Sequence, residues 1–543
     1  MAALRNRASR AFCTGARLGR KALLPDGWEA VVGIECHAQL NVPHKLFSPT
    51  APSSSALPNT HVAPFDAGYP GTLPRLQNSA VAAALRAALA LQCTIVPRSY
   101  FDRKHYFYAD QPMGYQITQK RIPYAHSGTV SIRFEDGYLS HEDDALQVPI
   151  EQVQLEQDTA KSTYYLMDVG AEQRRTQLLD YNRAGVALIE IVSAPAMRTP
   201  EQAGAYVRKV RDLLRCVDAS DGNMNEGSLR CDVNVSIHKI GEPFGARCEI
   251  KNLNSVKFLM QAIAYEVQRQ YAEVEAGRVV EQMSRGFDEA RGVTYAMRSK
   301  EDAPDYRYLH EPNIPPLDVP ASQVEALRAT MPELPDERHA RLCETYGLSI
   351  RDVNVLTRVN AEDDAAMPIE WERQAGVEYC ASAVDFFEAL VRDGIAPQTA
   401  VNWTIHHLLK ELNAAEVPFC YSPVPPMVLA ELIRVVDEQM ITPKTAHVLL
   451  REMITAKAIP YDGTALRIRD LIESRALGQL RTDEQLRPVC VAVLEEHAKD
   501  VAAVRAGKTK ALQKLVGAVM RRTGGRADAV AASALLAALI AST

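Results

Sequence analysis

The chain has 543 residues, too many for one hydrophobic core, so two to four domains are expected. Hydrophobic residues make up 47% of it and charged residues 24%, which excludes a disordered or fibrous protein, and the longest apolar run, Ala529–Ala541, is too short for a membrane span. The net charge of −6 means that any polyanion must be bound by a local basic patch rather than by overall charge.

The first 25 residues are basic and contain no acidic residue before Asp26. This composition predicts a mitochondrial transit peptide over residues 1–26, with a disordered basic tail as the alternative. Cleavage would remove six positive charges and take the formal net charge from −6 to −12. The six residues are Arg5, Arg7, Arg10, Arg17, Arg20 and Lys21.

The stretch VVGIECHAQL (31–40) alternates between apolar and polar residues with the period of a β-strand. Glu35, His37 and Gln39 therefore share one face, opposite Ile34 and Cys36. A carboxylate and an imidazole two residues apart on a rigid strand can both reach one cation. A solvated polar face is the alternative for this stretch taken alone.

Three further stretches also place polar residues on one strand face: QVQLEQDTAKS (152–162), SLRCDVNVSIH (228–238) and RCEIKNLNS (247–255). Together they predict a sheet whose polar face is a binding site. Oxygen ligands with an occasional histidine suit Mg²⁺ or Mn²⁺, and such ions bind between carboxylates and ATP phosphates. The polar residues on these faces are Glu156, Asp158, Asp232, Asn234, Ser236, His238, Glu249, Lys251 and Asn252.

Glu190 lies in the middle of an apolar strand, in DYNRAGVALIEIVSAP (180–195). Leu188, Ile189, Ile191 and Val192 surround it. A carboxylate that leaves water costs several kcal/mol unless it is paired, hydrogen-bonded or bound to a cation. A divalent cation would give this carboxylate a physical reason to be there.

A helix is predicted from Pro200, because Thr199 is an N-cap residue, Pro200 occupies the first helical position and Gln202 follows the cap by three residues. Prolines then cluster over residues 312–335 and mark a domain boundary. Beyond it the composition is helical to the end, and Pro397, Pro426 and Pro443 each begin a segment.

The sequence resembles the B subunits of the glutamyl-tRNA(Gln) amidotransferases, the GatB/GatE family. The match covers nearly all of the chain after the N-terminal segment, and its blocks stand in family order. They are VGIECHAQLN, KHYFYADQPMGYQITQ, QLEQDTAKS, DYNRAGVALIEIVS, MNEGSLRCDVNVSIH, EIKNLNS, MRSKEDAPDYRYLHEPNIPPL, AVNWTIHHLLKELN and AGKTKALQKLVGAVMRRTGGRADA.

The resemblance implies an α+β fold in three parts. A mixed β-sheet cradle domain at residues 27–330 is followed by an all-α helical domain at 331–478 and a small α-helical YqeY-like tail domain at 479–543. The implied activity is that of a glutamine-hydrolysing ligase. ATP phosphorylates the γ-carboxylate of Glu-tRNA(Gln), and ammonia released from glutamine by the A subunit then displaces phosphate.

Site residues also follow from the resemblance. The Mg²⁺ ligands of the family fall on His37, Glu156 and Glu190, with Glu35 beside them, so these residues are expected to bind the metal and act in catalysis. Lys251 is assigned a catalytic role, and Arg183, Arg230 and Asn252 are assigned to the cofactor. For Lys251 and the two arginines, a salt bridge within the sheet is the alternative.

No zinc is expected, because VAPFDAGYPG (62–71) stands where many bacterial members carry a cysteine pair. The connection between Glu156 and Glu190 is longer than in bacteria and is expected to form a surface loop around residues 168–177. Neither departure touches the expected metal ligands.

The tail domain of the family binds the tRNA elbow, and this chain has no acidic residue between Val501 and Ala527. A basic patch of this kind favours phosphate contacts, although a solvated helix face is the usual alternative. The implied partners are the A and C subunits of a heterotrimer and mischarged Glu-tRNA(Gln), in the mitochondrial matrix. The expected tRNA-binding residues are Lys508, Lys510, Lys514, Arg521 and Arg522.

Three other functions compete with this one. The archaeal relative acts on the same substrate but carries a synthetase-like insertion, which this chain lacks. A non-catalytic tRNA-binding scaffold of the same complex would not need the carboxylate set, yet Glu35, Glu156 and Glu190 are all present. A self-sufficient amidase would need a glycine-containing serine loop, and PSSSALP (52–58) has no glycine.

Overall fold

The structure is a computed structural model that describes residues 23–53, 55–169, 172–299, 305–359, 380, 382–456, 467–506 and 508–542. Residues 1–22 of the expected transit peptide lie outside these ranges. The chain divides into two compact units, one ending at Arg338 and the other beginning at His339. No helix within the described ranges has both the length and the apolar character needed to cross a membrane.

The described part of the first unit is built mainly from strands. They are β1 (Trp28–Gln39), β2 (Thr94–Ile95), β3 (Arg98–Ser99), β4 (Asp102–His105), β5 (Tyr115–Thr118), β6 (Ala125–Ile132), β7 (Leu146–Gln157), β8 (Lys161–Val169), β9 (Glu172–Asp180), β10 (Ala187–Ser193), β11 (Leu229–Lys239), β12 (Cys248–Leu253), β13 (Met283–Asp288), β14 (Val293–Ser299), β15 (Leu309–His310) and β16 (Leu317–Asp318).

Nine of these strands form one mixed sheet in the order β14-β13-β12-β11-β1-β10-β7-β6-β2. Its pairs are antiparallel except β12 with β13, which are parallel. Short strands make two smaller sheets, β15-β4-β5 and β16-β3, and β8 pairs with β9. Strand β1 is therefore at the centre of the main sheet, with β10 and β11 on either side.

The apolar face of the main sheet is covered by helices α1 (Asn78–Ala90), α2 (Pro200–Cys216) and α3 (Val256–Glu275). Ile34, Cys36 and Ala38 of β1 are buried in this core, as the alternation in the sequence predicts. The start of α2 is also confirmed, because the Thr199 side chain accepts a hydrogen bond from the Gln202 amide. The unit continues with α4 (Ala321–Ala329), and α5 (Pro335–Tyr346) spans the division between the units.

The prediction of a surface loop around residues 168–177 is wrong. Strands β8 and β9 form an antiparallel ribbon there, with Lys161 paired to Asp180 and Val169 paired to Glu172. The residues of the ribbon include β-branched and aromatic types, such as Thr163, Tyr164 and Tyr165, which favour strands. The segment that was expected to be a loop therefore consists mainly of two paired strands.

The described part of the second unit is helical. Its elements are α6 (Ile350–Arg358), α7 (Ala383–Arg392), α8 (Pro397–Asn402), a π-helical turn (Trp403–Leu408), α9 (Leu409–Ala414), a 3₁₀ turn (Phe419–Tyr421), α10 (Pro426–Asp437), α11 (Pro443–Ala456), α12 (Ile468–Ser474), α13 (Asp483–Glu496), α14 (Ala498–Arg505), α15 (Thr509–Arg522) and α16 (Ala529–Ser542).

Pro397, Pro426 and Pro443 begin helices as predicted. The buried side chains of this unit fall into two clusters, one between Leu342 and Ile472 and the other between Leu486 and Ile540. The predicted α+β class, a mixed sheet followed by helices, is confirmed. The domain boundaries at 330 and 478 stay predictions.

Candidate active site

A polar cavity of about 560 Å³ opens on the face of the main sheet opposite its helices. Strands from both halves of the sheet and from the small sheet β15-β4-β5 contribute to its walls. The predicted site residues of the first unit all line it, with the exception of Arg183. They are Glu35, His37, Glu156, Glu190, Arg230, Lys251 and Asn252.

Strand register explains why distant parts of the chain meet in this cavity. His37 of β1 lies opposite Glu190 of β10 on one side and opposite Arg230 of β11 on the other. Glu35 lies opposite Asp232 of β11. Because successive side chains on a strand point to opposite faces, Glu35 and His37 project together toward the polar side while Cys36 enters the core.

Glu35, His37 and Glu190 form a candidate cation site. Each offers one ligand atom, and the three atoms lie within 4.8 Å of one another. All three side chains are half-buried. Two carboxylates and an imidazole at this spacing fit a hard divalent cation such as Mg²⁺ or Mn²⁺.

Glu156 is buried next to this group and is held by hydrogen bonds from the small sheet. Its carboxylate accepts one bond from the Gln116 amide and another from the Thr118 hydroxyl at 3.2 Å. Glu190 accepts a bond from the Gln154 amide at 2.6 Å. These donors fix the orientation of both carboxylates before any ligand binds.

The pKa values of the neighbouring Glu156 and Glu190 carboxyl groups are shifted in opposite directions. Burial, followed by the neighbouring charge of Glu156, raises the pKa of Glu190 well above its usual range. Burial acts on Glu156 in the same direction, but Lys104 and His37 outweigh it and lower its pKa. Two adjacent carboxyl groups whose negative charges repel each other are suited to binding a cation, which would offset that repulsion.

Lys104 is the main cavity residue to which the sequence assigned no role. It lies on β4, and its ammonium group stands 5.1 Å from the centre of the Tyr306 ring. Burial alone would lower its pKa, but Glu156, Tyr308 and Glu190 raise it above the usual value. A permanently charged lysine therefore faces the carboxylates of the candidate cation site.

Lys251 lies elsewhere in the cavity lining, between two further carboxylates. Its ammonium group is 3.0 Å from Asp232 and 2.6 Å from Glu249. Burial is again outweighed by these two carboxylates, and the pKa of Lys251 is raised. Asn252, beside it, has a positive φ of 59° and donates its backbone N–H to Asp232 at 3.0 Å. Lys251 therefore makes salt bridges within the sheet, and its catalytic role stays a prediction.

Arg230 and Arg183 share Asp158 as a partner but differ in their position. Arg230 lines the cavity and donates to Asp158 at 2.9 Å, and its buried Nε has no hydrogen-bond partner among the described residues. Arg183 donates to the backbone carbonyls of Thr159 and Ala160 at 2.9 Å each. Arg183 therefore supports the wall rather than facing the cavity.

Gln116, Thr118 and Gln154 were also missed as site residues. Strands β4 and β5 are four residues long, which is too short for alternation to reveal a polar face. KHYFYADQPMGYQITQ contains the end of β4 and all of β5, so the signal lay in the matched block and not in a pattern of polarity. Gln154 falls on the same face as Glu156, two residues away, and that alternation could have identified it.

The five predicted tRNA-binding residues lie on or just before α15 in the second unit, and all five are exposed. Lys510, Lys514 and Arg521 are spaced by four and seven residues and so share one face of the helix. Lys514 is 3.7 Å from Asp500, and Arg522 pairs with Glu496. No salt bridge is found for Lys508, Lys510 or Arg521 within the described residues.

Two family profiles match the chain. The GatB/GatE catalytic domain matches residues 30–325, which include every strand of the main sheet except the first residues of β1. The chain belongs to the GatB/GatE family. A second profile, the Yqey-type GatB domain, matches residues 385–540 of this GatB/GatE chain.

Curated relatives agree over nearly the whole length. The chain is 46% identical to the B subunit of the mitochondrial glutamyl-tRNA(Gln) amidotransferase of Mycosarcoma maydis, over 93% of this chain and 85% of that protein. It is 44% identical to the protein of the same name from Laccaria bicolor, over 95% of this chain and 92% of that protein. The B subunit of the aspartyl/glutamyl-tRNA(Asn/Gln) amidotransferase of a Synechococcus strain is 39% identical to the chain, over 94% of this chain and 97% of that protein.

These matches confirm several predictions for the GatB/GatE chain. The family, the class of ligase that forms carbon–nitrogen bonds with glutamine as donor, and the mitochondrial localisation are as predicted. The chain is the B-type subunit of an amidotransferase from an ATP-using family. The individual site residues stay predictions.

Proposed function

We propose that this chain is the catalytic B subunit of a mitochondrial glutamyl-tRNA(Gln) amidotransferase. It would activate Glu-tRNA(Gln) with ATP and amidate it to Gln-tRNA(Gln). The observation that carries the proposal is the convergence of Glu35, His37 and Glu190 on one point of a polar cavity, next to the buried Glu156. A scaffold that only binds tRNA has no need for this arrangement.

The reaction has two balanced steps. A γ-carboxylate oxygen of the tRNA-bound glutamate attacks the γ-phosphorus of ATP, and ADP leaves. Ammonia then attacks the γ-carbonyl carbon, and phosphate leaves with the electrons of the broken carbon–oxygen bond. The first step brings together anionic groups, so the cavity must supply positive charge near the transferring phosphoryl group.

Protein cations in the cavity meet part of this need. Lys104 keeps its charge and faces the cation site, and Arg230 is fixed at one end by Asp158 while the buried Nε has no described partner. The Lys251 ammonium group forms salt bridges with Asp232 and Glu249, and a bound phosphate would compete with these carboxylates for it. We assign Lys104, Lys251 and Arg230 to phosphate or carboxylate contacts, with Asn252 beside them at the cofactor.

We assign Mg²⁺ to Glu35, His37, Glu156 and Glu190. The donor set is right for a hard divalent cation, and the pKa of Glu190 is raised first by burial and then by the negative charge of Glu156, which such a cation would compensate. When bound, Mg²⁺ supplies charge neutralisation and alignment of the reacting oxygens. The protein residues hold the ion and orient the γ-carboxylate.

We infer that no zinc is needed at residues 62–71. The Asp66 carboxylate in that segment is already used by protein donors. It accepts from the Lys45 ammonium group and from the Ser48 hydroxyl at 3.1 Å each, and from the Ala63 amide at 3.0 Å. The segment is thus held together by an ion pair and hydrogen bonds.

The A and C subunits and the mischarged tRNA are the proposed partners. The A subunit is the proposed source of ammonia, since the described lining of the cavity contains no cysteine. The exposed basic face of α15 supports tRNA binding through phosphates. The mitochondrial matrix is the proposed site of action.

The test is reconstitution with candidate A and C subunits, Glu-tRNA(Gln), ATP and ammonia, using wild type and Glu190→Gln. The variant keeps the size of the side chain but removes its charge, so ADP formation and Gln-tRNA formation should fall at least about a hundredfold. Glu151→Gln, which neutralises an exposed carboxylate on the neighbouring strand β7, is the matched control and should match wild type. Undiminished Gln-tRNA formation by Glu190→Gln would contradict the ligand assignment.

A further inference from the structure

The ribbon formed by β8 and β9 exposes large apolar side chains, and its first strand begins two residues after the cavity-lining Thr159. The exposed fractions are 53% for Tyr164, 51% for Tyr165, 70% for Leu166 and 54% for Leu178. Within the described residues, the two strands pair with each other and with no other strand. The ribbon therefore lies outside the main sheet and adds nothing to its core.

Apolar residues occur on both faces of the ribbon. Tyr165 pairs with Thr176, and Thr163 pairs with Leu178, so Tyr165 and Leu178 share one face. Tyr164 and Leu166 are two residues apart and share the other face. A two-stranded ribbon is only marginally stable in water, and exposed apolar surface on both sides is typical of a surface that a partner covers.

The base of the ribbon is fixed firmly to the cradle. Asn59 donates from its backbone to the Asp180 carboxylate at 3.0 Å, from its side chain to the Leu179 carbonyl at 3.1 Å, and accepts from the Tyr181 amide at 2.8 Å. The Tyr181 hydroxyl donates to the Ala109 carbonyl at 3.1 Å. A rigid base with an apolar ribbon above it is pre-organised for docking.

The charge of the ribbon favours a protein over a nucleic acid. Residues 161–180 contain three basic and three acidic residues, so their net charge is zero. A surface that binds RNA phosphates needs an excess of positive charge, as on α15. Neutral apolar and aromatic surface is instead typical of the centre of a protein–protein interface.

The position of the ribbon indicates which protein. Asp158 and Thr159, immediately before β8, line the cavity, and Arg183, shortly after β9, donates to the Thr159 and Ala160 carbonyls. The ribbon therefore begins at the wall of the cavity, and a protein seated on it would contact a segment that is continuous with that wall. Under the proposed function, the molecule that must be delivered there from another subunit is ammonia.

We propose that the β8–β9 ribbon is a docking surface for the ammonia-supplying A subunit. The inference rests on the proposed function. It adds to it the segment that would position the active site of the A subunit relative to the cavity of this chain. Loss of the ribbon contacts weakens the association of the subunits and leaves the chemistry in the cavity intact.

The experiment compares two double variants of the full chain, Tyr164→Thr/Leu166→Thr and Tyr165→Thr/Leu178→Thr. Threonine keeps the preference for strand structure while it removes apolar surface. The affinity for the purified A–C assembly is measured, and amidation is assayed with glutamine and separately with ammonium chloride. At least one variant should bind the assembly at least about tenfold more weakly, with glutamine-driven amidation reduced at low subunit concentration and ammonium-driven amidation unchanged.

Ile240→Thr/Val279→Thr is the matched control, because both side chains are exposed, at 65% and 86%, and lie away from the ribbon. It should behave as wild type in every assay. Wild-type affinity in both ribbon variants overturns the proposal, as does weakened tRNA affinity with unchanged affinity for the A–C assembly, which would assign the ribbon to RNA. Absence of amidation by the wild-type complex with either nitrogen source would instead contradict the proposed function.

Discussion

Lys45 is fully buried, yet its ammonium group has three oxygen partners. It donates to the His61 carbonyl at 2.8 Å and to the Asp66 carboxylate and the Tyr181 carbonyl at 3.1 Å each. Burial lowers the pKa of Lys45, and the charge of Asp66 opposes that effect. The ion pair is stable in this position because each charge compensates the other.

Replacing one partner of this pair should be costly. Lys45→Met leaves the Asp66 carboxylate buried without a counter-charge, so the free energy of unfolding of the first unit, taken from its own transition, should fall by about 3–5 kcal/mol. The double variant Lys45→Met/Asp66→Leu removes both charges and should recover much of this loss. Urea denaturation of the two variants and wild type measures the difference. A double variant less stable than Lys45→Met would contradict the ion-pair explanation.

The sequence could predict which residues of the main sheet meet, because alternation places Glu35 and His37 on one face and burial makes Glu190 unusual. It could not predict the roles of the hydrogen-bond donors around them. Gln116 and Thr118 reach Glu156 from a separate small sheet. That contact depends on tertiary packing between segments about 40 residues apart, for which local polarity carries no signal.

At the scale of elements, helix α2 and the β8–β9 ribbon are opposite cases. The start of α2 was predictable because Thr199, Pro200 and Gln202 each have a defined local role at a helix N-terminus. The ribbon was not predictable, because its strands alternate poorly and its charges interrupt the apolar residues. Apolar and polar residues alternate only weakly along a strand when neither of its faces packs against a core. Both faces of this ribbon are exposed, so the sequence lacked the alternation that would have predicted its strands.

Helix α15 offers a test of tRNA binding that is independent of catalysis. Changing Lys510, Lys514 and Arg521 to glutamine removes three charges from one helix face. Each lost phosphate contact should reduce the slope of log K against log salt by roughly 0.7–0.9, so the slope should fall by about 2 to 3. Affinity should drop alike for different tRNA sequences, measured across a salt series.

The matched control neutralises three exposed basic residues elsewhere in the same unit, Arg481, Arg487 and Arg475. It removes the same net charge and should change the slope much less. Equal slopes for the α15 variant and this control would mean that the helix face is merely solvated and that tRNA is held elsewhere.

At the scale of the whole molecule, the two units have separate hydrophobic clusters. Chains built from several such units do not unfold as one two-state system. Calorimetry should therefore resolve at least two transitions, and Mg²⁺ with ATP should raise the temperature of only one, since a ligand at a hundred times its Kd adds about 2.7 kcal/mol to the unit that binds it.

Glu190→Gln identifies the responsive transition, because it should lose the ligand-induced shift while the other transition stays where it is. Equal shifts of every transition in wild type, or a shift that persists in Glu190→Gln, would contradict the assignment of nucleotide and metal to the first unit.

The central place of β1 also has a consequence for how the chain comes together in the cell. Cys36 of β1 lies beside Cys231 of β11, 195 residues later. At roughly 5–20 residues per second, β1 waits about 10–40 s after its synthesis before that neighbour exists. Both edges of β1 are unpaired until β10 has been made, and one edge is unpaired until β11 follows, which favours aggregation. The first strand of the candidate site therefore depends on protection from aggregation until its neighbours are made, and a chain arrested before residue 239 would contain the proposed metal ligands of β1 without the complete sheet that holds them in place.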